Sequence, residues 1–330
     1  MENPVKVAVF NPKQWDKYKS QFMKLERKCY PKELQFLPNE KKEIVASKNS
    51  ITVIAKMGQE FVGEIYGQHV KYEEPETKNR GKVGRAFKDI FEMPESRRKT
   101  FYIDGFAVLP EMQGQGVGIA LKRALFTKLR DGGWEFVMGH ANDGAALHIN
   151  YKFGARPRKS YEHWFGGKEK HILYTLNLPN LKVRLDVPNV AQVFDFTCGP
   201  ASLKSVLQYN GVKASERALS SFGTTVEWGT DHESLVHAAN AFGMKAEEKL
   251  GANITDIIKC IDKGTPVIVN YFLKKAGEGH YSVAYGYDKS NLYIMDVATG
   301  KKEKMSKQEF DEQWFSKRYG KKWMLALQRK

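Results

Sequence analysis

Apolar and polar residues alternate over residues 5–10, 50–56 and 61–70, and this two-residue period predicts strands, the last two joined at Gly58. Between the first and second of them, apolar positions at helical spacing predict helices over 13–29 and 39–47. After a charged stretch, a strand over 101–109 leads to a helix over 116–130 that ends at Gly132 and Gly133. A strand over 136–139, a helix over 143–152 ended by Gly154, and strands near 161–165 and over 171–178 complete this half. Strands and helices interleave up to about Leu178, which implies an α/β layer with a mixed sheet. The stretch 179–188 carries Pro179 and Pro188 without helical periodicity, so it reads as a linker between domains at 1–178 and 189–330. The second domain follows another order. Helices over 199–209, 215–222, 231–242 and 254–263 precede strands over 266–272, 280–287, 292–296 and 322–328, which is an α+β arrangement.

A chain of 330 residues fits two domains, and 42% hydrophobic with 12% aromatic residues suffices for real cores. No segment has the roughly 18 apolar residues of a membrane span, and residues 1–19 lack the apolar run of a signal peptide, so a cytoplasmic protein without membrane insertion is expected. The net charge of +15 favours acidic partners, whether peptide, nucleic acid or cofactor phosphates. The densest charge lies over 71–100, read as an inserted surface loop with a short helix around Val83, Ala86, Phe87, Ile90 and Phe91. Acidic and basic residues alternate there with few aromatics, which suits a solvated loop better than a nucleic-acid contact. Cys29, Cys198 and Cys260 are far apart and form no CxxC pair, so a disulfide framework and a zinc knuckle are both excluded. Neither Cys29 and Cys260 nor His140, His148, His163, His171, His232 and His237 have metal-set spacing, and no metal is expected.

After the strand over 101–109, Gln113, Gly114, Gln115, Gly116, Val117 and Gly118 form a glycine turn directly ahead of the helix. Such a turn brings backbone close to a ligand, and the helix start offers unpaired amides to a pyrophosphate. A Rossmann reading fails because Glu135 opens its strand rather than closing it and four strands precede the turn. Phe106-Ala107-Val108-Leu109-Pro110 followed by this turn resembles the acetyl-coenzyme A signature of the GNAT superfamily of N-acetyltransferases, and the element order over about 5–178 agrees. The resemblance implies acetyl-CoA or another acyl-CoA. Phe106, Ala107 and Val108 would bond the pantetheine arm through their backbone, Gly114 to Ile119 would hold the pyrophosphate, and Asn142 would touch the cofactor. It also implies a tyrosine acid four residues before the helix-ending glycine. That count reaches Asn150, one short of Tyr151, and one helical position rotates a side chain by about 100°. Tyr151 is the acid candidate, and Glu64 and Asp104 on central strands are candidates to accept a proton through water.

Cys198 precedes Gly199-Pro200-Ala201-Ser202 at a helix start, where the helix dipole favours a thiolate. A histidine is needed to complete the nucleophile. His280 opens an apolar strand, and Asp296 ends the next, so antiparallel pairing brings the two side by side with Asp296 fixing the imidazole tautomer. Gln192, Cys198-Gly199-Pro200-Ala201, Gly279-His280-Tyr281 and Asp296 resemble papain-like cysteine peptidases of the branch that cleaves bacteriocin leaders after double glycine. The resemblance spans about 189–316, includes Trp228-Gly229-Thr230 and the segment 310–314, and implies that Gln192 donates to the oxyanion hole with the Cys198 amide. Val297-Ala298 replaces the usual proline after the aspartate and is similar to the phytochelatin synthases, so hydrolysis and transpeptidation both remain open.

A bifunctional enzyme follows, with an amine acetyltransferase and a thiol peptidase or transpeptidase acting on a peptide or protein. At pH 7 about 0.04% of a lysine amine is neutral against about 14% of an α-amine, so a fresh N-terminus released by the peptidase suits the transferase. The contrasting reading is a basic acyl-CoA-sensing or binding protein with one or both sites inactive.

Overall fold

The computed structural model describes residues 5–45, 47, 50–70, 90, 93–162, 169–273, 277–315 and 320–329. The chain divides into two compact units, Met1–Leu181 and Lys182–Lys330. Most of the charged stretch over 71–100, including Val83, Ala86, Phe87 and Phe91, lies outside the described residues, as does His163.

In the first unit β1 (Val5–Val9) leads to α1 (Trp15–Cys29) and α2 (Pro38–Val45), then to β2 (Ser50–Met57), β3 (Glu60–His69) and β4 (Thr100–Val108). Helix α3 (Val117–Asp131), β5 (Phe136–Asn142), α4 (Ala145–Lys152), β6 (Arg156–Tyr161) and β7 (His171–Asn177) follow. The sheet runs β1-β2-β3-β4-β5-β7-β6, antiparallel except for the parallel β4–β5 pair. This is the mixed GNAT sheet. The last hairpin starts earlier than 161–165 because β6 (RPRKSY) is an exposed edge strand without an apolar face to mark it.

The β4–β5 pairing covers only Thr100↔Phe136 to Ile103↔Gly139, although β4 continues to Val108 and β5 to Asn142. The two strands therefore part beyond Ile103. On the other side of β4 a bulge places Gly105 opposite Tyr66 and Ile103 opposite Gly67, leaving Asp104 as the extra residue. Gly67 is fixed there because a Cβ would stand 2.0 Å from the Tyr102 carbonyl oxygen.

In the second unit β8 (Val183–Arg184) pairs with the later strand β11 (Glu278–Tyr287), and helices α5 (Cys198–Tyr209), α6 (Glu216–Phe222) and α7 (His232–Ala241) follow. Strand β9 (Met244–Leu250), α8 (Ile254–Asp262), β10 (Val267–Leu273), β11 (Glu278–Tyr287), β12 (Asn291–Asp296), β13 (Lys301–Ser306), α9 (Lys307–Gln313) and β14 (Trp323–Arg329) complete it. The sheet order is β13-β12-β11-β10-β14-β9, with α5 against β11, the papain-like α+β arrangement. The 179–188 stretch corrects the linker expectation. Val183, Leu185 and Val187 are buried in alternation with exposed neighbours, and the Leu185 amide donates to the Tyr285 carbonyl, so residues from Lys182 onward belong to the second unit.

Candidate active sites

The glycine turn between β4 and α3 holds its shape through backbone that only glycine adopts freely: Gly114 has φ +75° and Gly116, the residue capping α3, φ +79°. The first capping bond is Ala120 N–H to the Gly116 carbonyl, so the amides of Val117, Gly118 and Ile119 have no partner within the helix. Gln113 and Gln115 brace the turn by donating to the carbonyls of Val108 and Glu111. These amides and the free edge of β4 from Asp104 to Val108 fit the phosphates and amide-bearing arm of coenzyme A.

Where β4 and β5 separate, a cavity of about 500 Å³ opens, lined by Asp104, Phe106, Lys122, His140, Asn142 and Asn150 among others. The bulge aims Asp104 into it. Asn142 Nδ2 donates to Glu169 Oε2 at 3.0 Å. Tyr151 does not line this cavity. It is 36% exposed beside His148, and Asn150, one position earlier, faces inward, which is the 100° rotation that the spacing implied. Glu64 is also displaced from its expected role. Its carboxylate lies 2.7 Å from Lys41 Nζ, which is 2.8 Å from Glu26 and sits over the Tyr66 ring, with all three charged side chains fully buried. Burial pushes the Glu64 pKa up against the pull of Lys41, and the two carboxylates with Tyr30 hold the Lys41 pKa high against its own burial. Glu64 belongs to a structural ion cluster on the face of the sheet opposite α3, since the neighbouring Gly63 meets Leu121 of α3.

Lys122 is the residue that sequence reading missed. It occupies a buried position of α3 among Leu121, Leu125 and Phe126, and its Nζ donates to Asn150 Oδ1 at 2.6 Å and to the Ala146 carbonyl at 2.8 Å. The ammonium also lies 4.4 Å from the Phe106 ring centre. Burial pulls its pKa down to about 7. A lysine on the apolar stripe of an otherwise amphipathic helix was the available signal.

In the second unit the β11–β12 hairpin pairs Ser282 with Asp296, and His280, two residues earlier, reaches across it. His280 Nε2 lies 2.7 Å from Asp296 Oδ1, and the aspartate also accepts from the Ala298 amide and the Thr299 hydroxyl. The Cys198 thiol, at the start of α5, interacts with the same imidazole. Burial lowers the His280 pKa, but hydrogen bonds with Asp296 and Cys198 outweigh it and push the value up to about 9. Asp296 is held below its usual range, its hydrogen bond and attraction to His280 outweighing burial. The structure thus assembles Cys198, His280 and Asp296. The other thiols differ: burial pushes Cys29 up to about 11 and raises Cys260.

Gln192 stands on the loop before Cys198, but its Nε2 donates to the carbonyls of Phe194 and Asp195, both at 3.0 Å. Both amide hydrogens are thereby committed to the loop, whereas an oxyanion donor must offer one to the substrate. Buried Glu216 anchors the same loop, accepting from the Val193 amide and the Thr197 hydroxyl.

A splayed mixed sheet with a glycine turn, joined to an α+β unit carrying a Cys-His-Asp set, defines an acyltransferase domain and a thiol peptidase domain on one chain. The acetyltransferase (GNAT) family model matches residues 17–154, and the Peptidase C39 like family model matches residues 184–321. The first unit thus carries an acetyltransferase (GNAT) domain and the second a C39-like cysteine peptidase domain, and the chain is an enzyme. An uncharacterized protein of Methanothermobacter thermautotrophicus is 30% identical over 112 residues, which cover 34% of this chain and 72% of that protein. The peptidase domain of Streptococcus ComA, a bifunctional ABC transporter involved in quorum sensing, is 30% identical and matches 43% of this chain and 97% of its own, with a TM-score of 0.37. The ribosomal-protein-S18-alanine N-acetyltransferase of Escherichia coli is 12% identical and matches 53% and 94%, with a TM-score of 0.39. Among the described residues no helix is long and apolar enough to cross a membrane.

Proposed function

We propose that the first unit transfers an acetyl or other acyl group from acyl-CoA to a peptide α-amine, and that the second cleaves or transpeptidates a peptide through Cys198. The separation of β4 from β5 over a cavity of about 500 Å³ carries the first part, since it leaves strand backbone open beside the glycine turn. When bound, acyl-CoA supplies the thioester carbonyl. Phe106, Ala107 and Val108 offer backbone to its arm, Gly114 to Ile119 offer amides and conformational freedom to its phosphates, and Asp104 lines the cavity beside them. The triad supports the second part. His280 takes the Cys198 proton as the base of the reaction, and Asp296 fixes the ring through its Nε2. Exposed Phe194 and Val193 beside the nucleophile, with Trp228 on the turn before Thr230, which packs at Gly199, offer apolar contacts to a peptide.

Coupling of the two reactions follows from amine chemistry, because cleavage releases the α-amine that the transferase most readily acylates. Full-length protein is incubated with cell-extract peptides and isotope-labelled acetyl-CoA, and products are read by mass spectrometry. New N-termini carrying the label support the coupled reading, and label confined to lysine side chains overturns it. The inert acyl-CoA sensor is the reading left if neither cleavage nor label is found.

A further inference from the structure

We infer that Lys122 is the acid that gives its proton to the coenzyme A sulfur as the acyl group leaves, with Asn150 and the Ala146 carbonyl positioning its ammonium. This rests on the proposed acyl transfer in the first cleft. Three observations converge on the lysine. It is 2% exposed, yet it lines the cavity formed where β4 and β5 part. It stands one helical turn beyond Gly118 of the pyrophosphate turn and over the Phe106 ring, which places it between that turn and the open strand. Finally, its two hydrogen bonds at 2.6 and 2.8 Å leave one of three ammonium hydrogens without either partner.

Charge supports the assignment. The titratable groups sharing the cavity are Tyr30, Asp104, His140, Glu169, His171 and Tyr174, and Glu64 points to the opposite face toward Lys41. Lys122 makes its hydrogen bonds to an amide and a carbonyl oxygen rather than to a carboxylate. Burial, pulling its pKa to about 7, makes the ammonium a ready donor near neutral pH. The position facing inward from α4 is filled by Asn150, which cannot donate a proton but can hold one that does.

The step balances without a further reagent. The amine nitrogen forms a bond to the acyl carbon, and the carbon–sulfur bond breaks with its electron pair on sulfur. Lys122 protonates that sulfur to give free coenzyme A. The proton lost by the attacking nitrogen passes to solvent, and Lys122 recovers one from solvent, so the products are an amide and a thiol.

The test uses the full chain with Lys122→Met, which keeps length and removes the proton. Acetyl-CoA binding is read by thermal shift, acetyl transfer to synthetic peptides with free α-amines is followed across pH, and coenzyme A binding is compared with that of desulfo-coenzyme A. Lys122→Met should bind acetyl-CoA and lose about 10²-fold or more in kcat. The wild-type decline above about pH 7 should vanish with it. Wild type should also prefer coenzyme A over desulfo-coenzyme A by about tenfold at pH 6, where the ammonium prevails, through a charge-assisted contact to sulfur that the variant lacks. Because that comparison needs no acceptor, it reads the lysine–sulfur contact by itself. Lys122→Ala supplies a second variant, in which added ethylamine should restore turnover.

Retention of the alkaline decline and of sulfur preference in Lys122→Met overturns the inference while leaving acyl transfer intact. A stable acyl adduct on Lys122 overturns it too, by making the amine a nucleophile. Failure of wild type to bind acetyl-CoA sinks the acyl-transfer reading, and the inference with it.

Discussion

His280 Nε2 and Asp296 Oδ1 lie 2.7 Å apart across the β11–β12 hairpin, and both side chains are largely shielded from water. A histidine so paired is a cation over a wider pH range than a free one, and its cationic form stabilises a neighbouring thiolate. The aspartate is itself fixed by the Ala298 amide and the Thr299 hydroxyl, so it orients the ring without taking part in bond making.

Thiol reactivity follows from these environments. Iodoacetamide at pH 6 should alkylate Cys198, whereas Cys29, pushed up to about 11, and Cys260, also raised, should stay unmodified. Peptide mapping after brief labelling checks this, and an unlabelled Cys198 would leave the inert-thiol sensor as the better account.

Stability should depend on pH through the same pair. The folded His280 pKa of about 9 exceeds the unfolded value near 6.5, so its contribution is complete below about pH 6.5 and is lost as pH rises through 9. Asp296 has the opposite sign: its depressed pKa contributes stability above about pH 4 that is lost on acidification. Asp296→Asn should flatten the alkaline decline of the second unit's Tm and leave partial peptidase activity. An unchanged alkaline slope in the variant would assign the decline to other groups.

The glycine turn can be tested by its backbone. A Cβ at Gly116 meets nothing within 4 Å, so the obstacle to Gly116→Val is φ +79° rather than space. Acetyl-CoA at a hundredfold excess over Kd should stabilise the wild-type first unit by about 2.7 kcal/mol, and the valine variant should lose that shift. A full shift in Gly116→Val would place the cofactor elsewhere.

Much of this was legible because glycine turns, buried alternation and a nucleophile at a helix start are local patterns. The elements that escaped are those whose pattern is set by position in the sheet. Strands β9 (MKAEEKL) and β13 (KKEKMS) are the outer strands of the second sheet, and their Lys and Glu residues face water, so no apolar period marks them. Val183, Leu185 and Val187 do alternate, but Pro179 and Pro188 flank them and carry the sequence signal of a linker. In the first cleft Asp104 and Asn142 were legible and do line the cavity, whereas Glu64 lies elsewhere and Lys122, which sequence reading missed, lines it. A strand carboxylate suggested chemistry, yet the fold buries Glu64 and Lys122 alike, and only their three-dimensional partners tell them apart.

The ion cluster gives a prediction about stability rather than turnover. Lys41→Met would leave Glu26 and Glu64 buried without their common counter-charge, and should destabilise the first unit by about 3–5 kcal/mol. Denaturant unfolding checks this. Loss of under about 1 kcal/mol would mean that the carboxylates are protonated in the native state.

Gln192 separates two roles that share one side chain. Its amide hydrogens join the Phe194 and Asp195 carbonyls, so Gln192→Ala removes a loop clasp as well as an oxyanion donor. The anchor of that loop can be cut independently, because Glu216 holds it through the Val193 amide and the Thr197 hydroxyl. Glu216→Ala should lower the Tm of the second unit and raise KM for a peptide containing Gly-Gly, with a smaller effect on kcat. Gln192→Ala should lower kcat by about 10²-fold or more if one hydrogen turns to the oxyanion during reaction. The diagnostic is the split between constants in two variants of one loop. If Gln192→Ala moves KM and Tm while kcat stays within a few-fold, its amide serves the loop alone, and the Cys198 backbone N–H at the start of α5 is left as the oxyanion donor.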